Sequence, residues 1–165
     1  METTDAIYFY GHKNDLGFLS NFYPCKFIDE NKIKFSCSEQ YFMYNKAKLF
    51  DSNNIQLLNE ILTETDPAKI KKLGRKVKNY DETIWSKERY QIMKNGIKMK
   101  FTQNLILKNK LLSTGTKKLY EASQFDNVWG IGLDEHNALI EENKQKYGSN
   151  LLGKLLMELR NEFNL

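Results

Sequence analysis

Cysteine, histidine and proline occur only twice each in these 165 residues, as Cys25 and Cys37, His12 and His136, and Pro24 and Pro67. Two cysteines are too few for a disulfide framework, and with two histidines no cluster forms at metal-ligand spacing, so neither a metal nor a cofactor is expected. There is no run of 18 uninterrupted apolar residues, which excludes a membrane span of the helical kind. The first twenty residues carry Glu2 and Asp5 and lack a continuous apolar segment, unlike a secretory signal, so a cytoplasmic protein is expected. The nine glycines are scattered, and no repeat or low-complexity stretch marks a linker. At this length, one compact domain over residues 1–165 is expected. The net charge of +4 is compatible with a phosphorylated or nucleic-acid-linked ligand. Charge alone does not distinguish a nucleic-acid-binding protein from the many other proteins that are this basic.

What the chain does contain is an amino-terminal portion with strand character followed by a long helical one. Ile7 to Tyr10 reads as a short strand, and Lys26 to Ile28 with Lys32 to Phe35 reads as a hairpin turning at Asp29-Glu30-Asn31. Helical spacing begins after Ser36 and recurs over Asn53 to Leu62. Asp66-Pro67 supplies a cap and a first-turn proline for a helix to about Val77. A further helix opens near Asp81 and is expected to run through Trp85, Met93 and Phe101 towards Leu107, with Gly96 as a weak point, and a short turn ends at Thr114-Gly115. Lys118 to Ala122 reads as a strand, Trp129 to Leu133 as a glycine-punctuated loop, and Asn150 to Phe163 as a final helix. These elements define an α+β class, mostly helical, with a small antiparallel sheet.

The helix after Ser36 carries the most informative pattern. At about 100° per residue, Phe42, Met43, Ala47, Leu49 and Phe50 cluster around the direction of Glu39 and Lys46. Gln40, Tyr41, Tyr44, Asn45 and Lys48 point the other way. Two ionisable groups inside an apolar stripe are either paired structurally or placed for chemistry. Ser36 followed three residues later by Glu39 also matches a capping box, and Lys46 could snorkel, its stem covering Phe42 and Phe50 while the ammonium reaches water.

Other segments add polar groups suited to a ligand. Asp126 to Leu133 combines an acid, Trp129 and the glycines Gly130 and Gly132, so a ligand could lie against the backbone with Trp129 as a stacking face, or the segment is a tight turn. Gly148-Ser149-Asn150 leads into a helix whose free N–H groups could bind an anion, with ordinary capping by Ser149 or Asn150 as the alternative. Gly74-Arg75 supplies a guanidinium able to grip phosphate. Trp85 is most simply a core anchor. Ser20 and Asn21, flanked by Phe18 and Phe22, could hold a polar ligand between rings. Carboxylates, a lysine, an arginine and aromatics, without a serine or cysteine triad or a Walker loop, suit cleavage of a sugar–base bond.

Taken in order, Phe18-Leu19-Ser20-Asn21-Phe22 with Pro24, Ser38 to Tyr41 with Glu39, Lys46-Ala47, Leu73-Gly74-Arg75, Trp85, Lys100-Phe101 with Gln103-Asn104, Leu112 to Gly115, Glu121-Ala122-Ser123, Asp126 with Trp129 to Gly132, and Asn150 to Gly153 with Leu156-Met157 and Arg160 resemble the NADAR (YbiA-like) family over nearly the whole chain. The resemblance implies a largely helical α+β domain that hydrolyses, without a metal, the N-glycosidic bond between a ribose and a heterocyclic amine or guanine base. The implied substrate is a riboflavin-pathway ribosylamino-pyrimidine phosphate or ADP-ribose on guanine, free or in nucleic acid. A non-catalytic module binding ADP-ribose or a nucleotide is the alternative. In the implied site Glu39 or Asp126 serves the sugar or activates water, and Lys46 protonates the base or forms a Schiff base with the opened sugar. Trp85 and Trp129 stack on the heterocycle, Ser20 and Asn21 bond the ribose, and Arg75 with the Gly148 to Asn150 turn meets phosphate. Many bacterial members of the family have histidine where this chain has Gln40, a position expected on the polar face of the helix.

Overall fold

The computed structural model describes residues 1–164. Strands β1 (Ala6–Phe9), β2 (Phe27–Ile28) and β3 (Lys34–Phe35) precede helices α1 (Ser38–Phe50), α2 (Ile55–Thr63), α3 (Pro67–Gly74), α4 (Glu82–Thr102) and α5 (Leu105–Ser113). Strand β4 (Lys118–Glu121), the short α6 (Glu135–Ala138) and α7 (Leu151–Phe163) follow. The α+β class and the dominance of helix are as expected. The chain divides into two units, one built from the first twenty residues and those from Ile106 onward, the other from Asn21 to Leu105.

In the first unit β1 and β4 pair in parallel, Ala6 opposite Lys118 and Phe9 opposite Glu121. The expected antiparallel pairing holds for the hairpin in the other unit; a parallel pair needs a long crossover, and here it contains all of residues 21–105. Tyr8 stacks on Tyr120 at 5.2 Å, and Tyr147 meets Tyr120 edge-on at 5.3 Å. Helix α7 lies on β4 and buries Leu152, Leu155, Leu156 and Leu159, each worth about 1.5–3 kcal/mol relative to exposure. Gly153 permits this approach, because a Cβ there would stand 2.1 Å from the Leu119 carbonyl oxygen.

In the second unit the hairpin pairs Phe27 with Phe35, their rings stacked at 5.7 Å. Asp29 closes its turn by accepting the N–H groups of Asn31 and Ile33. Helix α1 packs against α2, α3 and α4. Its expected single apolar stripe is not what the fold uses, since Ser38 through Met43 are all buried and Leu49 is 43% exposed. A first turn enclosed by several elements buries every face.

Two expectations about α4 are corrected. It stops at Thr102 instead of reaching Leu107, because the Gln103 side chain pairs with both backbone groups of Ile28 (2.9 and 2.7 Å) and Asn104 donates to the Lys26 carbonyl (3.0 Å). Gly96 does not weaken it; a Cβ there would meet the Tyr41 ring at 2.6 Å, so the glycine is a packing requirement. Helix α3 ends at Gly74, short of Val77.

The start of α1 also differs from the expected capping box. Cys37 is the N-cap and no side chain caps the helix; the Ser36 N–H goes to Gln40. Its Oε1 accepts the Ser36 N–H (2.7 Å) and hydroxyl (3.1 Å), and its Nε2 donates to the carbonyls of Ile61 (2.9 Å), Leu62 (3.2 Å) and Glu64 (3.0 Å) at the end of α2. Gln40 is 2% exposed, so it lies inside the unit and not on a polar surface. Removing a buried carboxamide that serves both a donor and several carbonyls leaves those groups unsatisfied. Gln40→Ala is therefore expected to destabilise the protein by about 2–4 kcal/mol, seen as a lower urea midpoint at unchanged m-value.

Candidate functional site

Glu39 stands in the first turn of α1. Its backbone N–H donates to the Asn21 carbonyl at 3.1 Å, which joins Asn21 to the first turn of α1, and the residue is 6% exposed. Asn21 is itself buried, and its Oδ1 has no hydrogen-bond partner among the described residues. A buried acceptor left without a donor is costly unless a ligand or water supplies one.

Lys46 leaves α1 two turns further on, half-buried. Its Nζ donates to the Gly74 carbonyl at 3.1 Å and stands 4.7 Å from the Tyr80 ring centroid and 5.8 Å from that of Trp85. This is more than snorkelling, because the ammonium is seated against a carbonyl and two π-faces. Burial lowers the Lys46 pKa below the ordinary lysine value and the Arg75 guanidinium lowers it further, while the carboxylates of Glu39 and Glu82 act in the opposite sense. Glu39, Arg75 and Glu82 are thus all within electrostatic reach of one amine.

Trp85 is 6% exposed, its ring tilted on Phe42 at 4.9 Å and edge-on to Phe50 at 6.1 Å. It forms the floor beneath Lys46, as the core-anchor reading expects. Tyr80, a residue the sequence reading did not single out, forms the outer wall. Its ring meets Phe50 at 5.5 Å and its hydroxyl donates to Glu82, which Arg89 approaches at 3.5 Å. Asn21, Phe22, Glu39, Lys46, Arg75 and Trp85 therefore all belong to one unit, from Asn21 to Leu105. In that unit a cleft of about 260 Å³ lined by Glu60, Thr63, Glu64 and Leu73 offers two carboxylates and no base, which does not suit a phosphate.

Ser20, Asp126, Trp129, Gly130, Gly132 and Asn150 belong to the other unit. Asp126 Oδ1 accepts the N–H groups of Val128 (2.9 Å) and Trp129 (2.8 Å), the tight-turn arrangement. The close approach at Gly130 is to the chain's own backbone: a Cβ would lie 2.8 Å from the carbonyl oxygens of Asp126 and Glu121. Gly132 has φ +72°, a conformation that favours glycine. At the start of α7 the backbone donors already have partners. The N–H groups of Gly148, Ser149, Asn150, Leu151 and Leu152 donate to the carbonyls of Ile131, Asn127, Gly130, Val128 and Trp129. Nor does Asn150 cap α7 with its side chain; its Oδ1 accepts the Glu121 N–H (3.1 Å) and its Nδ2 donates to the Leu119 carbonyl (2.9 Å). Both ends of the amide are engaged by β4.

Among the described residues no three His, Cys, Asp or Glu side chains converge as a metal-ligand set. A mostly helical α+β protein that sets a carboxylate and a lysine of lowered pKa on one helix, beside aromatic walls, has the equipment of a hydrolase acting without a covalent triad. Residues 8–164 match the family model described as NADAR domain, and the chain belongs to the NADAR family. It is 41% identical over 170 residues to N-glycosidase R617 of Acanthamoeba polyphaga mimivirus, covering 98% of each chain. It is 32% identical to N-glycosidase YbiA of Shigella flexneri serotype 5b, covering 94% of this chain and 87% of that protein. The NMR structure of the E. coli protein YbiA superposes with a TM-score of 0.77 at 28% identity, covering 99% of this chain and 88% of that one.

The electrostatic arrangement around Lys46 makes a signed prediction. Arg75→Gln removes a positive neighbour and is expected to raise the Lys46 pKa; Glu39→Gln removes a negative one and is expected to lower it. NMR titration of the labelled lysine side chain measures both shifts.

Proposed function

We propose that this chain is an N-glycosidase in which Glu39 and Lys46 meet the bond between a ribose and a heterocyclic base. The observation that carries the reading is Lys46: a half-buried amine of lowered pKa, held between Tyr80 and Trp85, with the Glu39 charge within reach. Cleavage develops positive charge at the anomeric carbon and negative charge on the departing nitrogen. Glu39 suits the first, stabilising the cationic sugar or orienting water towards it. Lys46 suits the second as a proton donor, or attacks the opened sugar as a free amine, forming an imine that water returns to the aldehyde. In either route water's oxygen ends on the anomeric carbon and a proton leaves with the base.

Arg75, exposed and close enough to influence Lys46, is the phosphate contact in this reading. Asn21 accepts a ribose hydroxyl through the carboxamide oxygen that lacks a protein donor. Asp126 is assigned to holding the Trp129 loop rather than to chemistry, since its Oδ1 already accepts two backbone N–H groups. The substrates we assign are a phosphoribosylamino-pyrimidine or ADP-ribose on guanine, released as free base. No helix among the described residues is long and apolar enough to cross a membrane. Both cysteines are free thiols, which suits a reducing cytoplasm.

Incubation with ADP-ribosylated guanosine and with a phosphoribosylamino-pyrimidine, followed by chromatography for released base, is the test. Lys46→Ala and Glu39→Gln are each expected to reduce turnover by about 100-fold or more; unchanged turnover in both would remove them from the site. Borohydride added during turnover traps a sugar adduct on Lys46 if the amine attacks, and none if it donates a proton. The pH profile carries the same distinction. A proton-donating Lys46 gives activity that falls as pH rises through its lowered pKa, whereas an attacking amine gives activity that rises there. Intact ligand recovered from a tight complex would indicate a binding module instead.

A further inference from the structure

We infer that Tyr80 is the stacking face for the base of the substrate, in place of Trp85; this rests on the glycosidase reading of Lys46. Trp85 lies 6% exposed beneath Phe42 and Phe50, so its ring is committed to the core of its unit. Tyr80 is 44% exposed, yet its ring centroid is 4.7 Å from Lys46 Nζ. A base whose glycosidic bond reaches that amine must lie within a ring's width of it, which is where the Tyr80 face stands.

The ring is held in place at both ends. Asn79, immediately before it, adopts φ +58° in the left-handed region, and its Nδ2 donates to the Phe50 carbonyl at 3.4 Å. The Lys78 N–H donates to Asp51 Oδ2 at 3.2 Å, tying the same segment to the end of α1. Beyond the ring, the Tyr80 hydroxyl donates to Glu82, which Arg89 approaches at 3.5 Å. An exposed tyrosine fixed by its backbone on one side and its hydroxyl on the other is a preorganised platform, with little ordering left to do on binding.

Stacking on a phenol ring reads planarity and π-surface, not a pattern of donors and acceptors. It contributes about 1–3 kcal/mol per base in single-stranded nucleic acid complexes and tolerates different bases. Tyr80 therefore selects aromatic heterocycles as leaving groups over aliphatic amines, while discriminating weakly between a pyrimidine and a purine.

The test compares KM and kcat for ribosylated guanine and ribosylated pyrimidine, together with calorimetric binding of free guanine, in the wild-type protein, Tyr80→Ala and Tyr80→Phe. Tyr80→Ala is expected to raise KM about 10-fold or more and to weaken guanine binding by a similar factor, with kcat changed much less. Tyr80→Phe, which restores the ring, is expected to recover most of both losses. Unchanged KM and guanine affinity in Tyr80→Ala, with Lys46→Ala inactive, would place the base elsewhere and leave the glycosidase reading standing. Absence of base release by the wild-type protein would overturn the glycosidase reading, and guanine binding lost in Tyr80→Ala but regained in Tyr80→Phe would still identify the ring as the platform.

Discussion

The carboxamide of Gln40 is the constraint on which the rest of the Asn21 to Leu105 unit depends. It accepts from Ser36 on one side and donates to three carbonyls at the end of α2 on the other. Five short bonds from one buried side chain fix where α1 begins and how it is rotated about its axis. Glu39 is its neighbour and Lys46 lies two turns further along the same rigid rod, so the placement of both follows from that one pin. The Asn21 carbonyl adds a second tether at the Glu39 N–H. A site built on a helix held in this way is more accurately positioned than one built on loops.

Around Lys46 the fold balances opposing influences instead of maximising one. Burial and the Arg75 guanidinium push the amine towards neutrality, while Glu39 and Glu82 pull it back towards the charged form. Tyr80 and Trp85 present π-faces that favour the ammonium but exclude the water that would otherwise stabilise it. The net effect is a Lys46 pKa below the ordinary lysine value. Such a group exchanges protons readily near its own pKa, as an acid–base or nucleophilic role demands.

Much of this was legible in the sequence, for identifiable reasons. Asp66 and Asp81 cap helices where the sequence places their starts, because capping is a local interaction between a side chain and the next few N–H groups. The Glu39 and Lys46 spacing was equally plain. Gln40 was misplaced because its partners lie more than twenty residues away in α2, and no local pattern records that. Periodicity put it on a polar face, which holds only for a helix with one side in water. The start of α7 is hidden from local pattern for the same reason: whether a helix's first donors are free depends on the chain that packs against them. Tyr80 left one faint trace, an asparagine before it, suited to a left-handed turn, and a capping aspartate after it.

Both ionisable groups of the site stand on α1, a single uninterrupted helix of 13 residues. Seven positions at 1.5 Å each separate their Cα atoms by roughly 10 Å along the axis, so the helix acts as a ruler between them. Rim residues such as Arg75 and Tyr80 sit on or beside connecting segments and are open to exchange as substrates change. The ruler is not adjustable by small steps. Loss or gain of one residue between positions 40 and 45 would turn Lys46 by about 100° away from its partner, carrying the amine off the aromatic seat. The spacing between the carboxylate and the amine is thus set by the length of α1, whereas Arg75 and Tyr80 are set by the segments that follow α3.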